Sequence, residues 1–138
     1  MNVWFLSSVA FWLCVSMTAT FAAESYPNRP LRLVVPTGAG GLTDLLARIV
    51  AEKLRVELGQ QVVIDNRSGA GGIVGSDIVA KAAPDGYTLL MVFPSHPVNP
   101  SLHEKLPYDT VKDFAPITMV GSVTQVLLVN PSFPARSV

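Results

Sequence analysis

The chain has 138 residues, and its ten Lys and Arg side chains balance its ten Asp and Glu side chains. Hydrophobic residues make up 49% of the chain and charged residues 14%. This composition excludes intrinsic disorder, which requires low hydrophobicity and a high net charge. The neutral balance also argues against a nucleic-acid partner, because binding to phosphates requires clustered cations. Every charged side chain follows Ala23.

The uncharged N-terminal segment has the composition of an export signal. An apolar stretch broken by Ser and Thr leads to Thr20 and Ala22, at the −3 and −1 positions of a signal-peptidase site. The sequence therefore predicts a signal peptide over residues 1–22, although Lys and Arg are absent from its start. An uncleaved anchor and a misassigned start codon are the alternatives. Cleavage would remove Cys14, the only cysteine, and a cysteine-free exported domain is typical of the bacterial periplasm.

The remainder of the chain alternates predicted strands and helices. Apolar and β-branched runs predict strands, and apolar residues that repeat at i+3 and i+4 predict helices. In chain order these are a strand over 31–35, a helix over 43–58, a strand over 61–65, a helix over 72–83 and a strand over 87–93. Thr43 is the expected N-cap of the first helix, and Gly59 the glycine that ends it. This order predicts an α/β domain with a mainly parallel sheet and right-handed crossovers.

After the third predicted strand the pattern changes. Residues 95–113 are rich in Pro, Asn, Tyr and charge, which predicts a loop with at most one helical turn. Two further apolar runs follow, over residues 117–120 and 125–129. The closing residues, 130–138, read as the opening of another segment.

Two glycine-rich connections carry the functional signal. Gly-Ala-Gly-Gly occurs at residues 38–41 after the first strand and again at residues 69–72 after the second. In a parallel sheet both connections, and the one after the third strand, lie at the carboxyl ends of strands, where open α/β folds bind ligands. Glycine amides and helix N-termini attract anions, so two such loops suit a small dianion. Hydroxyl groups near these loops add hydrogen-bond donors: Thr37, Thr43, Ser68 and Ser95.

Other readings of the same residues stay open. Glycine-rich turns also form for purely structural reasons. A dinucleotide site is the chemical alternative, because Gly38-x-Gly40 follows a strand and Asp65 ends the next one, but Thr43 stands where the third glycine belongs. Arg67 is suited equally to a ligand carboxylate or to an ion pair within the protein.

Catalytic and metal-binding patterns are not found. His96 and His103 lack partners at metal-ligand spacing, and no Gly-x-Ser-x-Gly sequence is present. We therefore expect neither a metal, a cofactor nor a catalytic residue.

Several stretches together resemble a known family, the Bug-type periplasmic receptors of tripartite tricarboxylate transporters. The resemblance covers nearly all of residues 26–138. The matching stretches are residues 26–36, 40–44, 66–72, 80–90, 99–102, 106–109 and 113–116.

The resemblance implies the first lobe of a two-lobed, type II periplasmic binding protein, with the second lobe missing. It implies a lobe over residues 23–124 and a crossover segment over residues 125–138. Such receptors are monomeric binding proteins rather than enzymes, and they deliver small di- or tricarboxylates or aromatic acids to membrane components of the transporter. Asp44 is expected to cap its helix and order water. The implied ligand-binding residues are Thr37, Gly38, Ala39, Gly40, Thr43, Asp44, Ser68, Gly69, Ala70, Gly71, Ser95, His96 and Asn99.

Three functional hypotheses follow. The first is a solute receptor for a carboxylate, present as a truncated or fragmentary copy. The second is a Rossmann-like oxidoreductase domain that binds a dinucleotide. The third is an inert truncated product.

Overall fold

The fold is known from a computed structural model that describes residues 25–122, 124, 126, 128–130 and 132–134. The predicted signal peptide lies outside the described residues, as do parts of the predicted crossover segment. The strands are β1 (Leu31–Val35), β2 (Val62–Asn66) and β3 (Thr88–Leu90). The helices are α1 (Leu42–Leu58), α2 (Ile73–Ala80) and α3 (Ser95–Leu102), with a 3₁₀ turn over Ala70–Gly72 before α2.

The three strands form one parallel sheet in the order β2-β1-β3. Val35 of β1 pairs with Asn66 of β2, and Val34 pairs with Leu90 of β3. All three strands therefore end at the same edge of the sheet, and each is followed by a connection on that edge. The predicted α/β class with a parallel sheet is confirmed.

Helix α1 packs on one face of the sheet through small side chains. Ala47 and Ala51 contact the buried side chains of Leu33 and Val35. Alanine lets the helix approach the strands closely, but it confines the buried surface to a narrow arc of the helix. Leu45 and other apolar residues on the adjacent arc are therefore about half exposed, so the predicted apolar face is only partly buried.

Several predicted boundaries are wrong by a few residues. Helix α1 begins at Leu42 after an extended Gly41, so Thr43 is a buried residue of the first turn and not the N-cap. The predicted loop that starts at Ser95 contains the helix α3. Proline suggested a break there, but Pro97 lies in the first helical turn, where the amides have no acceptor within the helix.

The N-terminal ends of the strands are joined by a cluster of polar and aromatic contacts. The hydroxyl of Tyr26 donates to the carbonyl of Gly86 at 2.8 Å. Arg29 forms an ion pair with Asp85 at 2.8 Å, and its guanidinium lies 4.2 Å from the ring centre of Tyr87. Two of the family-like stretches therefore form a structural contact at the edge of the sheet opposite the glycine loops.

Helix α1, with 17 residues, is the longest helix described, and it carries acidic and basic side chains along its length. None of the helices in the described part of the chain combines the length and apolarity needed to cross a membrane.

Candidate functional site

The connections after the three strands meet at the carboxyl edge of the sheet. We call residues 36–41 the first loop and residues 67–72 the second loop. Pro36 of the first loop lies against Gly72 and Gly75, and α3 reaches the second loop through Asn99. The predicted binding residues of all three connections therefore lie at one edge.

Asp44 anchors the first loop. Its side chain is 3% exposed, and its carboxylate accepts the amide of Gly40 at 2.9 Å. The same carboxylate accepts Nε of Arg48 at 3.0 Å and Nδ2 of Asn66 at 3.0 Å. Asn66 also donates to the carbonyl of Thr37 at 3.3 Å, so it ties β2 to the first loop. This is half of a capping box, in which an acid in the first turn reaches back to an amide before the helix.

These donors hold Asp44 ionised. Arg48, the Gly40 amide and Asn66 together lower the pKa of Asp44 to about 2. The start of α1 therefore already carries a negative charge that compensates the partial positive charge of the helix. This geometry agrees with the expectation that Asp44 caps the helix instead of binding an anion.

Thr37 places an unused hydroxyl at the end of β1. Its Oγ1 is buried and has no hydrogen-bond partner among the described residues. Because buried hydroxyl groups are normally hydrogen-bonded, such an atom at a candidate site points to a ligand or an ordered water as its partner.

The second loop has a backbone that only glycine-rich sequences adopt readily. Gly69, Ala70, Gly71 and Gly72 have φ values of 144°, 45°, 63° and 92°. The amides of Gly72 and Ile73 donate to the carbonyls of Gly69 and Ala70, so the amides of Ala70 and Gly71 are outside the hydrogen bonds of this turn. Successive amides in such a conformation form a concave donor surface for an anion.

Helix α2 follows the second loop without an acidic residue in its first turn. The partial positive charge at its start is therefore not compensated by a carboxylate of its own, unlike that of α1. Gly75, one turn into α2, lies so close to the first loop that a Cβ atom there would be 2.8 Å from Cβ of Pro36 and 2.9 Å from the carbonyl oxygen of Arg67. Gly75 therefore lets Pro36 of the first loop and the Arg67 carbonyl of the second loop lie close to the start of α2.

His96 is packed into the protein at the start of α3. Its Nδ1 lies 3.1 Å from Oγ of Ser76 on α2. Its ring stacks on Tyr108 with a centroid separation of 5.7 Å and meets Phe114 edge-on at 5.0 Å. Burial lowers the pKa of His96, because a charged imidazole would lose its hydration in this cluster.

Asn99, one turn further along α3, is 2% exposed and donates to the carbonyl of Gly71 at 3.3 Å. Its amide group therefore supports the second loop from behind. Asn99 and His96, both predicted ligand-binding residues, each use a polar atom in a contact within the protein.

Several residues of this edge were not identified from the sequence. Arg48 lies four residues after Asp44, a spacing at which opposite charges pair on a helix. Gly75 was not identified either, because its role depends on how closely Pro36 and the Arg67 carbonyl approach it. The contacts of Ser76 and Tyr108 with His96 were not predicted, because they join distant segments of the chain.

The residue needed for the dinucleotide alternative is already paired. Asp65 accepts Nε of Arg32 at 2.9 Å and Nε of Arg67 at 2.8 Å. The hydrogen bond from the guanidinium of Arg32, and to a smaller extent the one from Arg67, lowers the pKa of Asp65. Arg67 is therefore used in an ion pair within the protein. Within the described ranges, no group of three or more His, Cys, Asp or Glu side chains is arranged to hold a metal ion.

Comparisons with known proteins agree with this architecture. Residues 46–138 match the family described as "Tripartite tricarboxylate transporter family receptor". Protein BugT of Bordetella pertussis is 44% identical to the chain over 129 residues, which are 92% of this chain and 40% of BugT.

Two solved structures are similar in sequence and fold. MatC from Rhodopseudomonas palustris with bound malate is 42% identical, with a TM-score of 0.62 over 66% of this chain and 31% of MatC. A structure described as a periplasmic transporter is 43% identical, with a TM-score of 0.62 over 64% of this chain and 30% of that one. The chain spans about 40% of the length of the curated relatives that it matches. On this evidence the chain belongs to the receptor family of the tripartite tricarboxylate transporters.

Proposed function

We propose that this chain provides the first lobe of an extracytoplasmic solute receptor. The receptor binds a small carboxylate in the periplasm and delivers it to the membrane components of a tripartite tricarboxylate transporter. Residues 23–124 form the lobe, and residues 125–138 lead toward a second lobe. Family membership and the similarity to malate-bound MatC support this ligand class.

The second loop is the observation that carries the proposal. Four consecutive positive φ values turn the amides of Ala70 and Gly71 out of the hydrogen bonds of the turn, directly before a helix whose first turn contains no acid. Backbone amides and a helix N-terminus together bind anions without a basic side chain. This matches a chain with no net charge.

The first loop supplies a different kind of contact. Asp44 already occupies the start of α1, so a second carboxylate placed there would be repelled. The hydroxyl of Thr37 is neutral and has no hydrogen-bond partner among the described residues, so it is suited to donate to a ligand oxygen. We infer that the ligand is bound mainly at the second loop and touches the first loop through hydroxyl groups or water.

One lobe alone should bind the carboxylate with weak affinity. Small-molecule sites usually bury most of the ligand surface, whereas one lobe leaves one side of the ligand in water. We therefore expect malate to bind the chain with a dissociation constant on the order of a millimolar, equivalent to about −4 kcal/mol. Titrations followed by NMR are suited to this range.

The test compares malate with its uncharged diamide. Malate is expected to shift the amide resonances of Ala70 and Gly71, and the diamide is not. Thr37→Val should weaken malate binding about tenfold, because one hydrogen bond to a charged group contributes roughly 1.5–3 kcal/mol. The free energy of unfolding should stay the same or rise, since the variant removes an unpaired buried hydroxyl.

Thr110→Val is the matched control, because Thr110 also has a buried hydroxyl without a partner among the described residues. It should leave malate affinity unchanged. The proposal is contradicted when malate leaves the second-loop amides unshifted, and the role of Thr37 is contradicted when both Val variants bind malate equally well.

A further inference from the structure

Helix α3 is attached to the rest of the lobe at two points, three residues apart. His96 contacts Ser76 of α2, with 3.1 Å between Nδ1 and Oγ, and Ser76 is 2% exposed. Asn99 donates to the carbonyl of Gly71 in the second loop. The first contact connects the start of α3 to α2, and the second connects α3 to the peptide that precedes the Gly72 amide.

The first contact is enclosed by aromatic rings. Tyr108 stacks on the imidazole and Phe114 meets it edge-on, while these two rings also meet each other at 5.5 Å. Tyr108 is 7% exposed. These rings cover part of the imidazole, so His96 is partly buried.

The charged groups on the elements around His96 have other partners. On α2, Asp77 pairs with Lys81 at 2.8 Å. On the segment of Tyr108, Asp109 pairs with Lys112 at 3.2 Å, and the carboxylate of Asp113 accepts the amide of Asp109 at 2.7 Å. None of these ion pairs includes His96, so no carboxylate partner stabilises a charged imidazole within the described residues.

We propose that His96 is a positioning residue of the anion site: its contact with Ser76 keeps α3 in place, so that Asn99 holds the peptide of Gly71 and the second-loop amides keep one direction. This inference rests on the proposed function only for the identity of the ligand. Protonation of His96 weakens the arrangement, because the ring, partly covered by Tyr108 and Phe114, has lost part of its hydration and no carboxylate among the described residues pairs with it. Helix α3 then loosens, and the second loop loses its support.

The direction of the pH effect follows from the burial of the ring. Because burial lowers the pKa of His96, any state in which the ring is released binds the proton more tightly than the native state does. The positioning is complete above about pH 6.5, the ordinary pKa of histidine, and is lost as the pH falls below it.

The first measurement needs no ligand. The amide resonances of Ala70 and Gly71 and the ring resonances of His96 are followed by NMR between about pH 7.5 and about pH 5, the range in which histidine titrates. In the wild-type chain the Gly71 amide should shift together with the His96 ring. His96→Phe keeps an aromatic ring but cannot be protonated, and it should abolish that shift. His103→Phe, at the exposed histidine just after α3, should leave the shift intact.

The second measurement uses malate. Its affinity for the wild-type chain should fall about threefold to tenfold per pH unit below pH 6.5, the limit for uptake of one proton being tenfold. His96→Phe should remove this fall. Both proteins meet the same protonation states of malate, so the difference between them isolates the histidine.

The inference is overturned when the Gly71 shift persists in His96→Phe or is absent from the wild-type chain. If His96→Phe folds poorly, Ser76→Ala removes the same contact while keeping the imidazole. It should weaken malate binding already at pH 7.5, and unchanged affinity would count against the inference. A chain that fails to bind malate at any pH refutes the proposed function, whereas the Gly71 measurement still decides the role of His96.

Discussion

The first and second loops share the sequence Gly-Ala-Gly-Gly and the same place after a parallel strand, yet they are built differently. The first loop is held by charge, because Asp44 accepts the Gly40 amide and is itself bonded to Arg48 and Asn66. The second loop is held by neutral contacts, namely the close approach of Gly75 to Pro36 and the hydrogen bond from Asn99.

This difference separates a loop whose donors are satisfied by the protein itself from a loop that is a candidate for anion binding. In the first loop, the acid of α1 has already satisfied a donor and compensated the helix dipole. In the second loop, no acid lies in the first turn of α2, and two amides stay outside the turn's hydrogen bonds. A glycine-rich loop at a helix start is therefore a candidate anion site only where the protein has not supplied the anion itself.

The largest effect is expected at the contact between the two loops. Gly75→Ala places a methyl group within 3 Å of Pro36 and of the Arg67 carbonyl, and both obstacles include backbone atoms. Overpacking of this kind costs about 1–3 kcal/mol. The unfolding midpoint in urea should fall, and the amide resonances of the second loop should shift or broaden.

Gly121→Ala is the control for this substitution. A Cβ atom at Gly121 would have no atom of the described residues within 4 Å, and the φ of Gly121 is not in the positive range. Its stability should match that of the wild-type chain within the usual range for surface substitutions, about 0.5 kcal/mol. Equal midpoints for the two alanine variants would show that the loops are not in the contact described.

The next effect concerns the charge that holds the first loop. Asp44→Asn keeps the size of the side chain but directs an amide group at donors that require an acceptor. Stability should fall at neutral pH. In the wild-type chain the stabilisation from Asp44 should be present above about pH 4, the ordinary range of the carboxyl pKa, and should be lost as the pH falls toward 2. The Asp44→Asn variant should not show this loss of stability between about pH 4 and pH 2. Urea denaturation at each pH measures the free energy of unfolding of both proteins.

Glu52→Gln provides the comparison on the same helix. Glu52 is also bonded to an arginine, Arg55 at 2.7 Å, and its pKa is also lowered, but its side chain is 62% exposed. Exposed ion pairs contribute little because water and salt screen them. A loss of stability as large as that of Asp44→Asn would show that burial is not what distinguishes the two acids.

The sheet and the position of the loops were predictable because they depend on local patterns. The apolar runs of β1 and β2 and the i+3 and i+4 spacing of α1 are features of short windows, and parallel order follows from their alternation. The end of α1 at Gly59, where φ is 65°, was predicted from the residue type alone. The glycine loops follow directly, since parallel strands end at one edge.

The support of the site was less predictable because it joins distant segments. The family resemblance implied that His96 is a ligand-binding residue, whereas its contacts to Ser76, Tyr108 and Phe114 depend on how α2, α3 and a later segment pack. Helix α3 contains Pro97 in its first turn and Pro100 in its interior, and this segment was predicted to be a loop because proline usually breaks helices. The sequence pattern therefore predicted where the candidate site lies, but not the contacts between distant segments that support it.

The smallest expected effect distinguishes the backbones of the two loops by the same substitution. Ala70 has a φ of 45°, whereas Ala39 at the corresponding place in the first loop is not among the residues with positive φ. An L-residue in the left-handed region costs roughly 1–2 kcal/mol, which exceeds the entropy cost of glycine, about 0.5–1 kcal/mol. Ala70→Gly should therefore raise the free energy of unfolding by about 0.5 kcal/mol, and Ala39→Gly should lower it by a similar amount. Urea denaturation of both variants measures the two changes, and equal signs would mean that the two Gly-Ala-Gly-Gly loops share one backbone conformation.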